Sequence, residues 1–278
     1  MSLNPARLPA AIRAHAGLLS QLQLAPEACL NYGERQVAIR TPACPDYYFG
    51  NYLLLDRRPV AAQLLAWSAD FERLLGSAEA LAHRAFVWPE AQPEGPPAGL
   101  PDGYDYLHLV SMQLPADAVQ PPPALPAGLR VRTFQQATDW RQWEELQAEV
   151  TPGAEHPEAH RRYLDYQARS YRSLCDLGLG DWWGVFDAEE QLLAYLGLYR
   201  CERLGRFQAV TTRQDWRRRG LCQALLGNVL QAQRQAVESF VIVAESGHPA
   251  QRLYAQAGFA VAGGIGTLLQ TDVRQGDR

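Results

Sequence analysis

Phe207–Leu230 reads FQAVTTRQDWRRRGLCQALLGNVL. Val210, Thr211 and Thr212 close a stretch that reads as a strand, because β-branched side chains favour the extended chain. A basic turn follows. Leu221, Leu225, Leu226, Val229 and Leu230 then share one face, which predicts a helix starting near Gly220. At such a turn the first backbone N–H groups of the helix have no partner inside it, and the helix dipole adds positive potential at the same point. Together they form an anion site suited to phosphate or pyrophosphate. Gly220 and the small Cys222 allow a ligand to approach the backbone closely. Arg213, Arg217, Arg218 and Arg219 against Asp215 give a local charge of +3. Gly-Lys-Ser/Thr is missing, so this is not a Walker A loop, and it is not G-x-G-x-x-G.

A second segment, Ala250–Phe259 (AQRLYAQAGF), follows the apolar run Phe240–Ala244 (FVIVA), which reads as a strand buried on both faces. Arg217-Arg218-Arg219-Gly220-Leu221-Cys222 resembles the Q/R-x-x-G-x-G/A motif of the GNAT N-acetyltransferase superfamily. Ala250–Phe259 resembles that family's A-x-x-L-Y-x-x-x-G-F signature. The two stand in the family's order, with a helix and a strand between them. Arg206-Phe207-Gln208-x-Val210-x-Thr212 is similar to a subgroup of these enzymes, and the resemblance extends over residues 129–272. It implies an α/β chain of mixed-sheet α+β type, with a GNAT acyltransferase fold in the C-terminal half. Thr41-Pro42 and Tyr48-Phe49-Gly50-Asn51, leading to Leu53–Leu55, resemble the front of two-part members. That implies a smaller, degenerate α+β GNAT-like domain in the N-terminal half; an unrelated accessory domain is the alternative.

The resemblance also implies roles. Acetyl-CoA would lie, as cosubstrate, between the strand ending at Thr212 and the strand Phe240–Ala244. Backbone groups of Val210 and Thr212 would bond the pantetheine arm. The N–H groups from Arg218 through Arg219, Gly220 and Leu221 to Cys222 would hold the pyrophosphate, with a side chain from Arg217–Arg219 reaching phosphate. An amine would attack the thioester directly. An alkyl amine such as lysine has a pKa of about 10.4 and is protonated at neutral pH, so a base or water chain must take its proton. Tyr254 matches the family's tyrosine and is the candidate acid for the leaving thiolate. Some members carry a glutamate on the strand before the phosphate loop, where this chain has Gln208. Glu245 is therefore the first candidate base, followed by Glu155 and His156. Cys222 stands where Gly or Ala is usual and reads as a small filler. Gly247 stands where many members have Asn.

The acceptor implied is a small-molecule or peptide amine. The rival reading is a non-catalytic acyl-CoA-binding or sensor protein, which Gln208 and Gly247 favour. His156-Pro157-Glu158-Ala159-His160 is not HExxH, and Pro157 at a helix start places His156 outside the turn, so no metal is expected.

Proline places the seams. Residues 89–101 and 115–126 are rich in it, which excludes regular helix and inner strand. The domains expected are 1–114 (accessory), 115–128 (a semi-rigid linker) and 129–278 (the acetyltransferase). In the first, strands are expected at Gln36–Arg40, Tyr52–Leu55, His83–Trp88 and Tyr104–Leu114, with a helix opened by Pro59 and stopped at Gly76. One amphipathic helix is expected to carry Leu8, Ile12, Leu18, Leu19 and Leu22. In the second half, Leu129–Phe134, Trp182–Phe186, Leu192–Arg200 and Arg206–Thr212 read as strands. Thr138 would cap one helix, Pro157 would start another, a short helix would span Pro249–Ala257, and a final pair of strands would follow Gly258.

The 278 residues correspond to about two domains at roughly 150 residues each. The 47% of apolar and 20% of charged residues exclude disorder and fibrous classes. A net charge of −4 excludes a whole-chain basic field, so no nucleic acid is expected. No apolar run approaches the ~18 residues of a membrane helix, so no membrane partner is expected. Five dispersed cysteines, never in CxxC, fit a reducing cytoplasm. An oligomer is compatible with all of this.

Overall fold

The computed structural model describes residues 3–25, 27–77, 80–150 and 157–271. Two compact units emerge. Unit one is Met1–Ser111 with Val243–His248 and Val261–Arg278; unit two is Met112–Ile242 with Pro249–Ala260.

Unit one begins with short helices. A 3₁₀ turn at Pro5–Arg7 precedes α1 (Ala10–Arg13) and α2 (Ala16–Gln23). The single amphipathic helix expected from the sequence is therefore broken. Pro9 sits before α1, and extended His15 restarts the chain by accepting the Leu18 N–H on Nδ1. The apolar positions still work as read: Leu8, Ile12, Leu18 and Leu22 are all buried in one cluster. Strands β1 (Cys29–Tyr32), β2 (Gln36–Arg40) and β3 (Tyr52–Leu55) form an antiparallel meander, of which β1 was not foreseen. Helix α3 (Leu64–Leu75) then leads to β4 (His83–Pro89), parallel to β3. Pro59 does not open this helix directly; a 3₁₀ turn at Ala61–Gln63 intervenes. Alternation along the strands splits the core by face. Val37, Ile39, Leu54 and Val87 pack with α1 and α2, whereas Ala38, Leu53, Leu55 and Phe86 pack with α3.

Strand β5 (Tyr104–Pro115) runs from unit one into unit two. Unit two continues through the proline-rich segment to β6 (Arg130–Thr133), α4 (Ala137–Val150), α5 (Pro157–Asp176), β7 (Gly180–Phe186), β8 (Leu192–Cys201) and β9 (Leu204–Thr212). Helix α6 (Leu221–Gln233), the first part of β10 (Ser239–Glu245), as far as Ile242, and α7 (Pro249–Gln256) complete it. β6 to β9 are antiparallel neighbours, and β10 joins β9 in parallel. The sheet is thus mixed and the fold α/β. The prolines are not idle: a side chain at Gly227 of α6 would stand 3.0 Å from Pro122 Cα, so the segment lies along that helix. Thr138 is not the α4 cap. The Asp139 carboxylate accepts the Gln135 and Gln136 N–H groups and pairs with Arg132.

The last element is one strand, β11 (Ala260–Thr271), where a pair was expected. Its residues 261–271 belong to unit one, and Ile265–Thr271 pair antiparallel with β4. Gly263 and Gly264 mark no turn. They are small because the His15 and His108 rings stand where their side chains would be, 2.8 and 2.5 Å from an added Cβ. Among the described residues, no helix is long and apolar enough to cross a membrane.

The Thr41…Gly50-Asn51 motif is a clamp. Buried Asn51 accepts the Thr41 N–H at 2.9 Å and donates to the Cys44 and Tyr47 carbonyls, while Thr41 Oγ1 donates to the Gly50 carbonyl. Asn51→Ala strands these groups in the interior and should cost about 2–4 kcal/mol, at roughly 1 kcal/mol or more for each lost bond. Urea unfolding of the full chain measures it; a loss under about 1 kcal/mol would show the loop holding by other means.

Candidate functional site

The site starts with how β9 ends. Its parallel ladder with β10 spans three pairs, Ser239↔Leu204, Phe240↔Gly205 and Val241↔Arg206, and β9 continues past it to Thr212. On its other side β9 carries a bulge. Gly197 pairs with Gln208 and Tyr195 with Thr211, so Ala209 and Val210 stand opposite the single Leu196. Ala209 takes φ +47, a left-handed conformation rare for a residue with a Cβ. The bulge lifts Val210 out of the β8 register and bends the strand at that point.

The basic turn follows. A 3₁₀ turn at Gln214–Trp216 leads to Arg218 at φ +62 and Gly220 at φ +78. Left-handed residues in such a turn gather successive N–H groups into a concavity that suits an anion. Gly220 is the N-cap of α6 and has no side-chain cap, so the opening N–H groups of the helix stay available. A Cβ at Gly220 would meet nothing within 4 Å, so the space before it is open.

The arginines divide their work. Arg213 forms a two-pronged bond to Asp215 at 3.0 and 3.1 Å, and these hydrogen bonds hold that carboxyl below the usual carboxylate range. Arg217 Nε donates to the Thr212 carbonyl at 3.2 Å. Arg219 donates to the Asp215 carbonyl and lies over the Trp216 ring at 4.6 Å. These three brace the turn. Arg218 is exposed and sits in the left-handed position itself. The Thr212 carbonyl is therefore already used within the turn.

Next to this turn stands α7. Gln223 of α6 donates to Gln256 of α7 at 2.6 Å. Tyr254 is 6% exposed, and burial, with Cys222 close by, pushes its hydroxyl well above the usual tyrosine range. It is a protonated donor at neutral pH. Burial pushes the Cys222 thiol up to about 12, so it is a filler rather than a nucleophile. The Leu-Tyr-x-x-x-Gly-Phe signature has a local reason. The Phe259 N–H reaches the Tyr254 carbonyl and the Gly258 N–H the Ala255 carbonyl, each at 3.0 Å, with Gly258 at φ +99. This is a Schellman stop, and the Tyr254 and Phe259 rings, 6.4 Å apart, supply its apolar contact.

Within unit two, then, Val210, Thr212, Arg217–Cys222 and Tyr254 come from the end of β9, the turn, and the neighbouring ends of α6 and α7. Glu245 is exposed at the end of β10, in the part of that strand assigned to unit one. Gly247 holds φ +78, a conformation that Asn also tolerates, so the change from Asn keeps the turn and drops a side chain. Glu155 and His156 lie outside the described residues. Among the described residues no cluster of His, Cys, Asp or Glu could hold a metal. The Ala209 bulge had no signal in the sequence.

Unit one repeats the strand, helix, parallel-strand arrangement with β3, α3 and β4. There the turn is closed on itself. Asp56 pairs with Arg35 and Arg57, and Arg58 pairs with Glu90, just past β4, and donates to the Gly95 carbonyl at 2.6 Å.

Residues 140–259 match the model of the acetyltransferase (GNAT) family. No curated protein matches the chain in sequence. Solved structures match its fold over nearly the whole length. A GCN5-related N-acetyltransferase from Kribbella flavida has 14% identity, covers 97% of this chain and 99% of its own, and gives a TM-score of 0.63. One from Sphaerobacter thermophilus has 21% identity, 97% and 94% coverage and a TM-score of 0.59. A tandem GNAT protein of the clavulanic acid biosynthesis pathway has 16% identity, 89% and 84% coverage and a TM-score of 0.59.

Cys222 should react with iodoacetamide at pH 8 at least about a hundredfold more slowly than exposed Cys29, because an ordinary thiol ionises near 8.5. Peptide mass spectrometry follows both; equal rates would show an open thiol beside Tyr254.

Proposed function

We propose, from the match of residues 140–259 to the acetyltransferase (GNAT) family model, that the protein is an N-acetyltransferase moving an acetyl group from acetyl-CoA to a primary amine. The observation that carries this reading is the uncapped, left-handed turn at Arg218–Gly220 beside the buried, protonated Tyr254.

Acetyl-CoA, when bound, supplies a thioester carbonyl open to direct attack. The chain's own groups do the rest. N–H groups from Arg218 to Cys222 hold the pyrophosphate, with Arg217, Arg218 and Arg219 supplying positive charge. The Val210 backbone, at the bulge, and the Thr212 backbone orient the pantetheine arm. Tyr254 keeps its proton at neutral pH and gives it to the departing sulfur. Glu245 takes the amine's proton, directly or through water. The acceptor is a small-molecule or peptide amine. Residues 129–278 are the working domain, 115–128 the linker and 1–114 the accessory domain, whose own turn is closed by Arg58 and Glu90. A cytoplasmic location belongs to the same proposal and fits five free cysteines. The second reading, an acyl-CoA sensor without turnover, draws on Gln208 and Gly247, which stand where some members carry Glu and many carry Asn.

A thiol-release assay over a panel of amines separates the two: turnover supports the enzyme, and acetyl-CoA binding without turnover supports the sensor. Tyr254→Phe should lower kcat by about 10²–10⁴-fold, the usual share of a general acid, with acetyl-CoA affinity within about twofold. An unchanged kcat would remove Tyr254 from the mechanism.

A further inference from the structure

We propose that Tyr195 is a positioning residue for the acetyl-CoA strand: its hydroxyl holds the bulged end of β9 and ties it to helix α4. This deepens the acetyl-CoA reading above and rests on it.

Tyr195 lies on β8 directly across from Thr211, at the point where the register shifts around Ala209 and Val210. Its ring is fully buried between Trp143 of α4 and Trp182 of β7, with centroids 6.1 and 5.6 Å away. Packing of this kind requires an aromatic ring but no hydroxyl. Yet the hydroxyl is engaged twice. It donates to Gln147 Oε1 on α4, and it is hydrogen-bonded to the Thr211 side chain. Burial pushes it far above the usual tyrosine range, so it stays a neutral donor and acceptor at every working pH.

The position of this chain of bonds is what gives it a role. A left-handed alanine costs roughly 1–2 kcal/mol and persists only where neighbours over-determine it. Thr211 is the first residue paired with β8 beyond the bulge, and it sits between Val210 and Thr212. Fixing its side chain from the α4 side therefore fixes the peptide planes of both neighbours. Side chains alternate along a strand, so those neighbours present their own side chains to the other face. Tyr195 thus acts on the cofactor strand through Thr211.

Two variants test it in the full-length protein. Tyr195→Phe keeps the ring and Thr211→Val keeps the shape, and each removes the hydroxyl link. The probe is acetyl-CoA, titrated calorimetrically, with kcat and KM read where turnover exists. Each variant should weaken acetyl-CoA binding about tenfold, near the worth of one neutral hydrogen bond. KM for acetyl-CoA should rise alongside, with kcat within about threefold. The double variant should be no weaker than either single one, because both cut the same link. A purely structural hydroxyl would lower Tm and leave acetyl-CoA affinity unchanged, and that result overturns the proposal. Additive losses in the double variant overturn it too. If the unaltered protein fails to bind acetyl-CoA, the acetyltransferase reading fails, and Tyr195 falls with it.

Discussion

β9 gives up its parallel partner early, and the rest of the molecule's chemistry depends on how the chain handles that release. A strand past the end of its ladder has backbone donors and acceptors to satisfy. Here they are redistributed in order. The bulge at Ala209 and Val210 turns one peptide out of the β8 register, Arg217 takes the Thr212 carbonyl, and the turn to Gly220 collects N–H groups toward open space. The result is a surface of backbone donors with positive potential behind it, in a chain whose net charge is −4. The charge that matters is local, and much of it is spent on bracing the turn.

The two units show what happens when the same crossover is finished differently. β3, α3 and β4 repeat the connection of β9, α6 and β10. In unit one the turn arginines find carboxylates of their own, and Tyr106 donates to Glu90 at 2.5 Å, so the charges cancel inside the protein. In unit two the corresponding turn bonds its arginines mainly to carbonyls and to one short-range carboxylate. An arginine bonded to a carbonyl keeps its charge unneutralised. That contrast leaves positive charge unneutralised at the turn of unit two and cancels it at the turn of unit one.

Much of this was legible in the sequence because it is written in local rules. Gly220 and Gly258 stand where the backbone needs positive φ, and the apolar faces of α6 and FVIVA set their burial. The signature around Tyr254 is readable for the same reason: a Schellman stop needs Gly at one place and an apolar contact at another. Other features arise between distant residues and leave no local trace. The bulge at Ala209 depends on Leu196 across the strand, and alanine advertises nothing. The Tyr195 hydroxyl link joins residues from three elements. The first helix broke where Pro9 and His15 interrupt a pattern that periodicity alone reads as continuous. The final pair of strands is one strand, whose Gly263 and Gly264 answer to two histidine rings. Prolines 122 and 123 read as linker yet lie on α6.

The proposed function requires backbone N–H groups at the Arg218–Cys222 turn to hold the pyrophosphate of acetyl-CoA. Calorimetric titration of acetyl-CoA beside S-acetylpantetheine, which carries the thioester and arm without the pyrophosphate, tests it most directly. Acetyl-CoA should bind at least about a hundredfold more tightly, since two hydrogen bonds to a charged group are worth about 3 kcal/mol or more. Equal affinities, or binding of neither, would contradict it.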